Sequence, residues 1–250
     1  MRKTKIVCTI GPASETEKII TGLCKAGMNV ARLNFSHNTH EDHQRRIDLI
    51  KKVRSELKMP IAIMLDTKGP EYRIKTFAGG KINLNDGDEF TFTTEDIVGD
   101  ETKVAVSYPN LPNELSIGDT ILLNNGLLTF EVINIDGTNI NCTVVIGGEL
   151  SDRKSMSFPG KVMKQKYLSE QDKKDIAFGV QNDVDYNACS FVSKKQDLID
   201  VHNYLKELNA DDIELIAKIE NQSGFDNIEE ICEECDGIMI ARGDMGVEIP

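Results

Sequence analysis

The 250-residue sequence predicts an α/β protein, in which repeated strand–helix units build a parallel sheet and an all-β segment interrupts the repeat. Three observations carry this prediction. Helix-capping strings and amphipathic stretches alternate with short apolar runs up to residue 70, and again after residue 166. Between those regions, glycine turns and period-two alternation replace any long helical pattern. Short polar strings then close several apolar runs: Arg32-Leu33-Asn34-Phe35-Ser36, Lys218-Ile219-Glu220 and Arg242-Gly243-Asp244.

Taken in order, Lys5 to Ile10 reads as a strand, Gly11-Pro12-Ala13 as a turn, and Ser14-x-x-Glu17 as a capping box opening a helix. Gly27 stands where a helix C-cap belongs, and Asn29 to Phe35 forms the next strand. Thr39-x-x-Asp42 caps a second helix running to about Leu57, with Ile47, Ile50 and Val53 inward. Pro60 precedes a strand from Ile61 to Leu65, which ends at Asp66-Thr67-Lys68-Gly69-Pro70. From Glu71 to Lys166 the pattern is β throughout. Asp86-Gly87 separates Ile82 and Leu84 from Phe90 and Phe92, and Asp136-Gly137 marks a hairpin. Ser169-x-x-Asp172 then caps a helix through Val180, followed by a strand at Val184 to Phe191. A helix at Gln196 to Leu208, a strand at Glu214 to Ile219, a helix near Asn227 to Glu234 and a strand at Gly237 to Ala241 complete the series.

The expected organisation is a first domain part at residues 1–70, an inserted β-domain at 71–166, and a second part at 167–250. The outer parts form either an open doubly wound sheet or a barrel. Six strands at about 26 residues per unit fall below the roughly 31 per unit of a typical eight-unit barrel. Read as a barrel, the chain holds six of eight units.

Composition narrows the function. A hydrophobic fraction of 40% and a charged fraction of 28% suit a soluble globular protein. The absence of Trp, 6% aromatics and a formal net charge of −12 argue against a nucleic-acid surface. A phosphate ligand is compatible, provided Lys and Arg converge locally. Met1-Arg2-Lys3-Thr4-Lys5 lacks a signal-peptide stretch, no apolar run reaches a membrane span, and the expected location is cytoplasmic. Cys8, Cys24, Cys142 and Cys189 read as small buried hydrophobes. Cys232-x-x-Cys235 has no second Cys or His pair to complete a zinc site. His40 and His43 read as helix-surface residues.

The strand-end residues carry the chemistry. Side chains alternate along a strand, so Arg32, Asn34 and Ser36 are expected on one face, as are Lys218 with Glu220 and Arg242 with Asp244. Charge at the end of an apolar strand is costly unless a ligand or ion completes it. In a βα barrel, active groups occupy these C-terminal ends. Glu220 and Asp244 offer a carboxylate pair for Mg²⁺. Lys218 can stabilise a transferring group, and Arg32 and Arg73 can hold phosphate. Asn34, Ser36 and Asp66 form an oxygen-rich set suited to a monovalent cation. Together these point to phosphoryl transfer.

The strings Thr4-Lys-Ile-Val-Cys-Thr-Ile-Gly-Pro-Ala-Ser14, Gly27-Met-Asn-Val-Ala-Arg-Leu-Asn-Phe-Ser-His37, Leu65-Asp-Thr-Lys-Gly-Pro-Glu71, Ala217-Lys-Ile-Glu-Asn221 and Asp236 to Pro250 resemble pyruvate kinase. The resemblance implies a (β/α)₈ TIM-type barrel with a mobile β-domain inserted after its third strand. It also implies phosphate transfer from phosphoenolpyruvate to ADP in glycolysis, giving pyruvate and ATP. On that resemblance Arg32, Asp244 and the Gly243 backbone contact substrate. Asn34, Ser36, Asp66 and the Thr67 backbone hold K⁺. Asn34, His37, Arg73 and Lys154 match nucleotide or phosphate positions, Lys218 is the catalytic electrophile, and Glu220 and Asp244 bind Mg²⁺. Full-length members of the family form homotetramers.

The family pattern also includes two more barrel strands, one bearing a substrate-binding Thr, and a C-terminal regulatory domain. With six strands, the chain is expected to expose two sheet edges and to self-associate through them. Local departures are Tyr72 for Ile, Asn124-Asn125-Gly126 for Asp-Asp-Gly, Arg153-Lys154-Ser155-Met156-Ser157 for Lys-Lys-Gly-Val-Asn, and Ser193 for Arg. An alternative expectation is a catalytically impaired short paralogue or fragment that binds phosphorylated ligands or a partner chain without turnover.

Overall fold

A computed structural model describes residues 3–161 and 163–248; Ile249 and Pro250, at the end of the last motif, lie outside the described residues, as do Met1 and Arg2. The chain divides into two compact units. The first comprises Met1–Pro70, Lys166–Ile219 and Asn227–Ile240, and the second Glu71–Gln165, Glu220–Asp226 and Ala241–Pro250.

In chain order the first unit starts with β1 (Val7–Thr9), α1 (Glu17–Ala26), β2 (Val30–Asn34), α2 (His40–Leu57) and β3 (Ala62–Asp66). The box expected at Ser14 does not form. Thr16 caps α1 by accepting from the Ile19 amide, while Ser14 Oγ accepts from Gly11 N at 3.0 Å and closes the preceding turn. Gly27 ends α1 at φ 109°, a conformation that costs a residue without Cβ nothing. The Thr39–Asp42 capping box is present, and α2 buries His43, Arg46, Ile47, Ile50 and Val53. His43 is therefore not a surface residue. It precedes Ile47 by four positions and Ile50 by seven, which places it on the same inward stripe.

The second unit holds β4 (Tyr72–Arg73), β5 (Lys81–Leu84), β6 (Glu89–Thr93), β7 (Lys103–Ala105), β8 (Thr120–Leu123), β9 (Leu128–Asp136), β10 (Asn139–Ile146), β11 (Gly148–Ser151) and β12 (Ser155–Ser157). Seven of them form a sheet in the order β4-β12-β8-β9-β10-β6-β7, and β11 pairs with β5. Inward positions alternate along the strands and converge on Phe90, Phe92 and Phe130, whose ring centroids lie 5.1–5.8 Å apart. Such tilted and edge-on ring pairs add to plain area burial. Asp136-Gly137 turns β9 into β10 as a hairpin, whereas Asp86-Gly87 leads from the β5–β11 pair into the larger sheet.

The chain returns to the first unit with α3 (Glu170–Gln181), β13 (Tyr186–Cys189), α4 (Lys195–Glu207) and β14 (Glu214–Ile219). Ser169 and Asp172 form the expected capping box of α3. The helix expected near 227–234 is α6 (Ile228–Cys232), preceded by a short α5 (Gln222–Asp226) and followed by β15 (Gly237–Ile240) and α7 (Arg242–Glu248). The six strands of this unit form one parallel sheet in the order β1-β2-β3-β13-β14-β15. Leu33, Ile63, Leu65, Leu215 and Ala217 are fully buried, as suits parallel strands covered on both faces. Among the described residues, no helix is long and apolar enough to cross a membrane.

Candidate functional site

The register of the parallel sheet explains which polar side chains meet. Thr9 pairs with Arg32, Asn34 with Asp66, Asp66 with Ala188, and Ala188 with Ile216. Two residues beyond that last pair, on the same face, come Ser190 and Lys218. Arg32, Asp66, Ser190 and Lys218 thus gather at the C-terminal ends of four neighbouring strands.

Their contacts are short and mostly dry. Arg32 Nε donates to Asp66 Oδ2 at 2.5 Å, and Arg32 Nη1 donates to Thr9 Oγ1 at 2.7 Å. Lys218 Nζ donates to Asp66 Oδ1 at 3.1 Å and to Ser190 Oγ at 2.6 Å, while Ser190 Oγ itself donates to Asp66 Oδ1 at 3.0 Å. Asp66 is 1% exposed and Lys218 7%. A carboxylate held so far from water needs its cations, and removing either one would leave a costly buried charge. Two cations, Arg32 and Lys218, thus share the Asp66 carboxylate.

Ser190 escaped the sequence reading. It is fixed from several directions: Tyr167 Oη donates to its carbonyl at 2.7 Å, and Gly69 packs on that carbonyl so closely that a Cβ there would lie 2.5 Å from it. The next residue, Phe191, has φ 56°, which is uncommon for a bulky side chain. Gly69 is held in turn by donation of its amide to buried Asp172 at 3.1 Å.

Beside this cluster, Asn34 Oδ1 accepts from the Ser36 amide at 2.9 Å. Ser36 falls in the turn after β2 and not on the strand, and His37 is exposed in the same turn. Thr67 is buried, and its amide and hydroxyl both donate to the Ala188 carbonyl, at 3.0 and 3.2 Å. Asn34, Ser36, Asp66 and Thr67 supply oxygen donors alone, the chemistry a hard monovalent cation requires.

The remaining expected residues belong to the second unit. Arg73 pairs with Glu71 at 2.5 Å and donates from Nη1 to the Arg153 carbonyl at 2.6 Å, while β4–β12 pairing aligns it with Ser155 beside Lys154. Glu220 directly follows β14 and is 2% exposed. Gly243 and Asp244 are exposed in the first turn of α7. The expected shared strand face of Arg242 and Asp244 is therefore absent: two positions on a helix are about 200° apart. Glu220 and Asp244 carry carboxylates, the ligand type Mg²⁺ prefers. Among the described residues, no group of three or more His, Cys, Asp or Glu forms a metal cage. A cleft of about 580 Å³ lined by Lys51, Arg54, Met59, Asp183 and Asp185 lies near the opposite, N-terminal ends of β3 and β13 and is separate from the cluster.

Comparisons with known proteins agree with this geometry. A family model described as pyruvate kinase, barrel domain, matches residues 1–250. The chain is 48% identical over 252 residues to a pyruvate kinase of Staphylococcus haemolyticus, covering all of this chain and 43% of the relative. It is 47% identical over 251 residues to a pyruvate kinase of Clostridium acetobutylicum, covering all of this chain and 53% of the relative. The chain thus spans about half the length of the curated relatives it matches. With a parallel strand–helix sheet, a cationic cluster at its C-terminal strand ends and a match along its whole length, the chain belongs to the pyruvate kinase family.

Proposed function

We propose that this chain carries the catalytic centre for phosphoryl transfer from phosphoenolpyruvate to ADP, giving pyruvate and ATP. The observation that carries the reading is the Arg32–Asp66–Ser190–Lys218 cluster, buried except at Arg32. Its two cations lie at strand ends, where a phosphorylated acid can be bound. Arg32 is partly exposed and can offer guanidinium donors to a phosphate or carboxylate while its Nε stays on Asp66. Lys218 presents a point charge held by Asp66 and Ser190, suited to stabilise charge that builds on the transferring group and the enolate oxygen. Arg73 and Lys154 are the residues we assign to the nucleotide phosphates, with His37 and Asn34 beside them in role. The Gly243 amide and Asp244 are assigned to the substrate. Mg²⁺ at Glu220 and Asp244, and K⁺ at Asn34, Ser36, Asp66 and Thr67, would supply charge neutralisation when bound. The domain division at 71–166 and cytoplasmic location belong to the same reading.

The test is a coupled assay of pyruvate formation from phosphoenolpyruvate and ADP with Mg²⁺ and K⁺, using Lys218→Met as control. Turnover that falls at least about a thousandfold in the variant supports the proposal. Phosphoenolpyruvate binding without Lys218-dependent turnover identifies a binding protein and refutes catalysis by this chain.

A further inference from the structure

We propose that His43 is a positioning residue for the turn that carries Ser36, and through it for the monovalent-cation ligands. The inference rests on the functional reading above. His43 lies one turn into α2, 1% exposed, with its amide donating to the Thr39 carbonyl at 3.1 Å. Its Nε2 lies 2.9 Å from the His37 carbonyl oxygen. A carbonyl can only accept, so Nε2 carries the proton and Nδ1 has a bare lone pair. Nδ1 is buried with no hydrogen-bond partner, which fits a ring held neutral in one tautomer. The same ring stacks on Phe35 with centroids 3.9 Å apart and planes at 9°.

Phe35 and His37 flank Ser36, so one rigid ring grips the turn on both sides of that residue. The turn's other restraints come from its amides: Phe35 N donates to the Asp66 carbonyl at 2.9 Å, Ser36 N to Asn34 Oδ1 at 2.9 Å and His37 N to the Asn34 carbonyl at 3.5 Å. The capping box at Thr39 and Asp42 fixes the start of α2, and His43 transmits that fixed position back to the turn. On this proposal Ser36 is held in place before a cation binds, in a turn tied to Asn34 by its own amide and to Asp66 by the Phe35 amide. A cation site pays for loose ligands in affinity, because ordering them is charged against binding.

The experiment compares the full chain with His43→Phe, which keeps an aromatic stack and loses the donor, and His43→Gln, whose amide can restore it. The expected result is a rise of about tenfold in half-saturating K⁺ for His43→Phe, the cost of about one buried hydrogen bond, with kcat at saturating K⁺ within about threefold of the original. His43→Gln should recover most of that loss. Two readouts need no activity. Amide exchange at Ser36, His37 and Asn38 should quicken in His43→Phe alone, and nitrogen NMR of the original chain should show the His43 Nε2–H tautomer. An Nδ1–H tautomer, or unchanged exchange and K⁺ dependence in His43→Phe, overturns the proposal. If His43→Phe does not fold, the tautomer together with His43→Gln decides. A chain that makes no pyruvate refutes the functional reading, while the tautomer and exchange still judge the clamp.

Discussion

Ser190 Oγ lies 2.6 Å from Lys218 Nζ and 3.0 Å from Asp66 Oδ1, so one hydroxyl links the buried ammonium to the carboxylate it pairs with. It accepts from the ammonium and donates its proton to the carboxylate, which fixes the hydroxyl rotor. Ser190→Ala would remove both contacts without changing charge. The expected outcome is a kcat about tenfold lower, equivalent to about 1.4 kcal/mol of lost positioning, with the KM for ADP little changed. Steady-state kinetics on the variant checks this, and a kcat equal to that of the original chain would show that Ser190 does not orient Lys218.

Gly69 is where backbone geometry supports that same serine. Its φ of 64° disfavours an L side chain, and an added Cβ would lie 2.5 Å from the Ser190 carbonyl oxygen. The obstacle is backbone, which cannot swing aside. Gly69→Ala should therefore cost about 3 kcal/mol, combining the left-handed penalty with displacement of Ser190. Urea unfolding should show a lower midpoint, and a coupled assay should show reduced turnover in the fraction that remains folded. A midpoint within error of the original would mean that the turn relaxes freely.

Much of this arrangement was legible because strands have a simple period. Arg32, Asn34 and Lys218 stood out as polar residues at regular places on apolar strands, and Thr39–Asp42 and Ser169–Asp172 announced their helices. Ser190 did not, because a serine after a strand is commonplace; only the Ala188–Ile216 register brings it to Lys218. Asp244 misled for the opposite reason. Arg242-Gly243-Asp244 follows directly on the apolar run Ile238–Ala241, as charge at a strand end would, yet the chain turns into α7 at Arg242. His43 could have been found from its spacing to Ile47 and Ile50, but its polarity outweighed the periodicity.

The burial of His43 gives a pH dependence with a definite sign. Desolvation, aided by the positive charge of Arg46 and His40 and opposed by the His37 carbonyl and Asp175, lowers its pKa from the ordinary 6.5. The unfolded chain then binds more protons than the folded one near and below that value. Stability contributed by this group is complete above about pH 6.5 and is lost as the pH falls toward the depressed folded value. Urea midpoints measured from pH 8 to pH 5 should decline on acidification, and the decline should be shallower in His43→Phe. Equal slopes in the two proteins would place the acid sensitivity elsewhere.

The thiols should separate cleanly by reactivity, since the thiolate is the nucleophile and burial suppresses it. Cys232 is exposed, whereas Cys24, Cys142 and Cys189 are buried, and burial pushes the thiols of Cys142 and Cys189 up to about 12. Cys235 is partly buried and its thiol is also raised, chiefly by desolvation, so the Cys-x-x-Cys pair should not behave as two equivalent groups. Brief iodoacetamide treatment of the folded chain at pH 8, read by peptide mass spectrometry, should label Cys232 first. Cys235 and Cys8, which is only partly buried against its sequence expectation, should follow more slowly. Cys142 and Cys189 should react only once urea has unfolded the chain, and early labelling of either would show that its part of the core opens readily in the native protein.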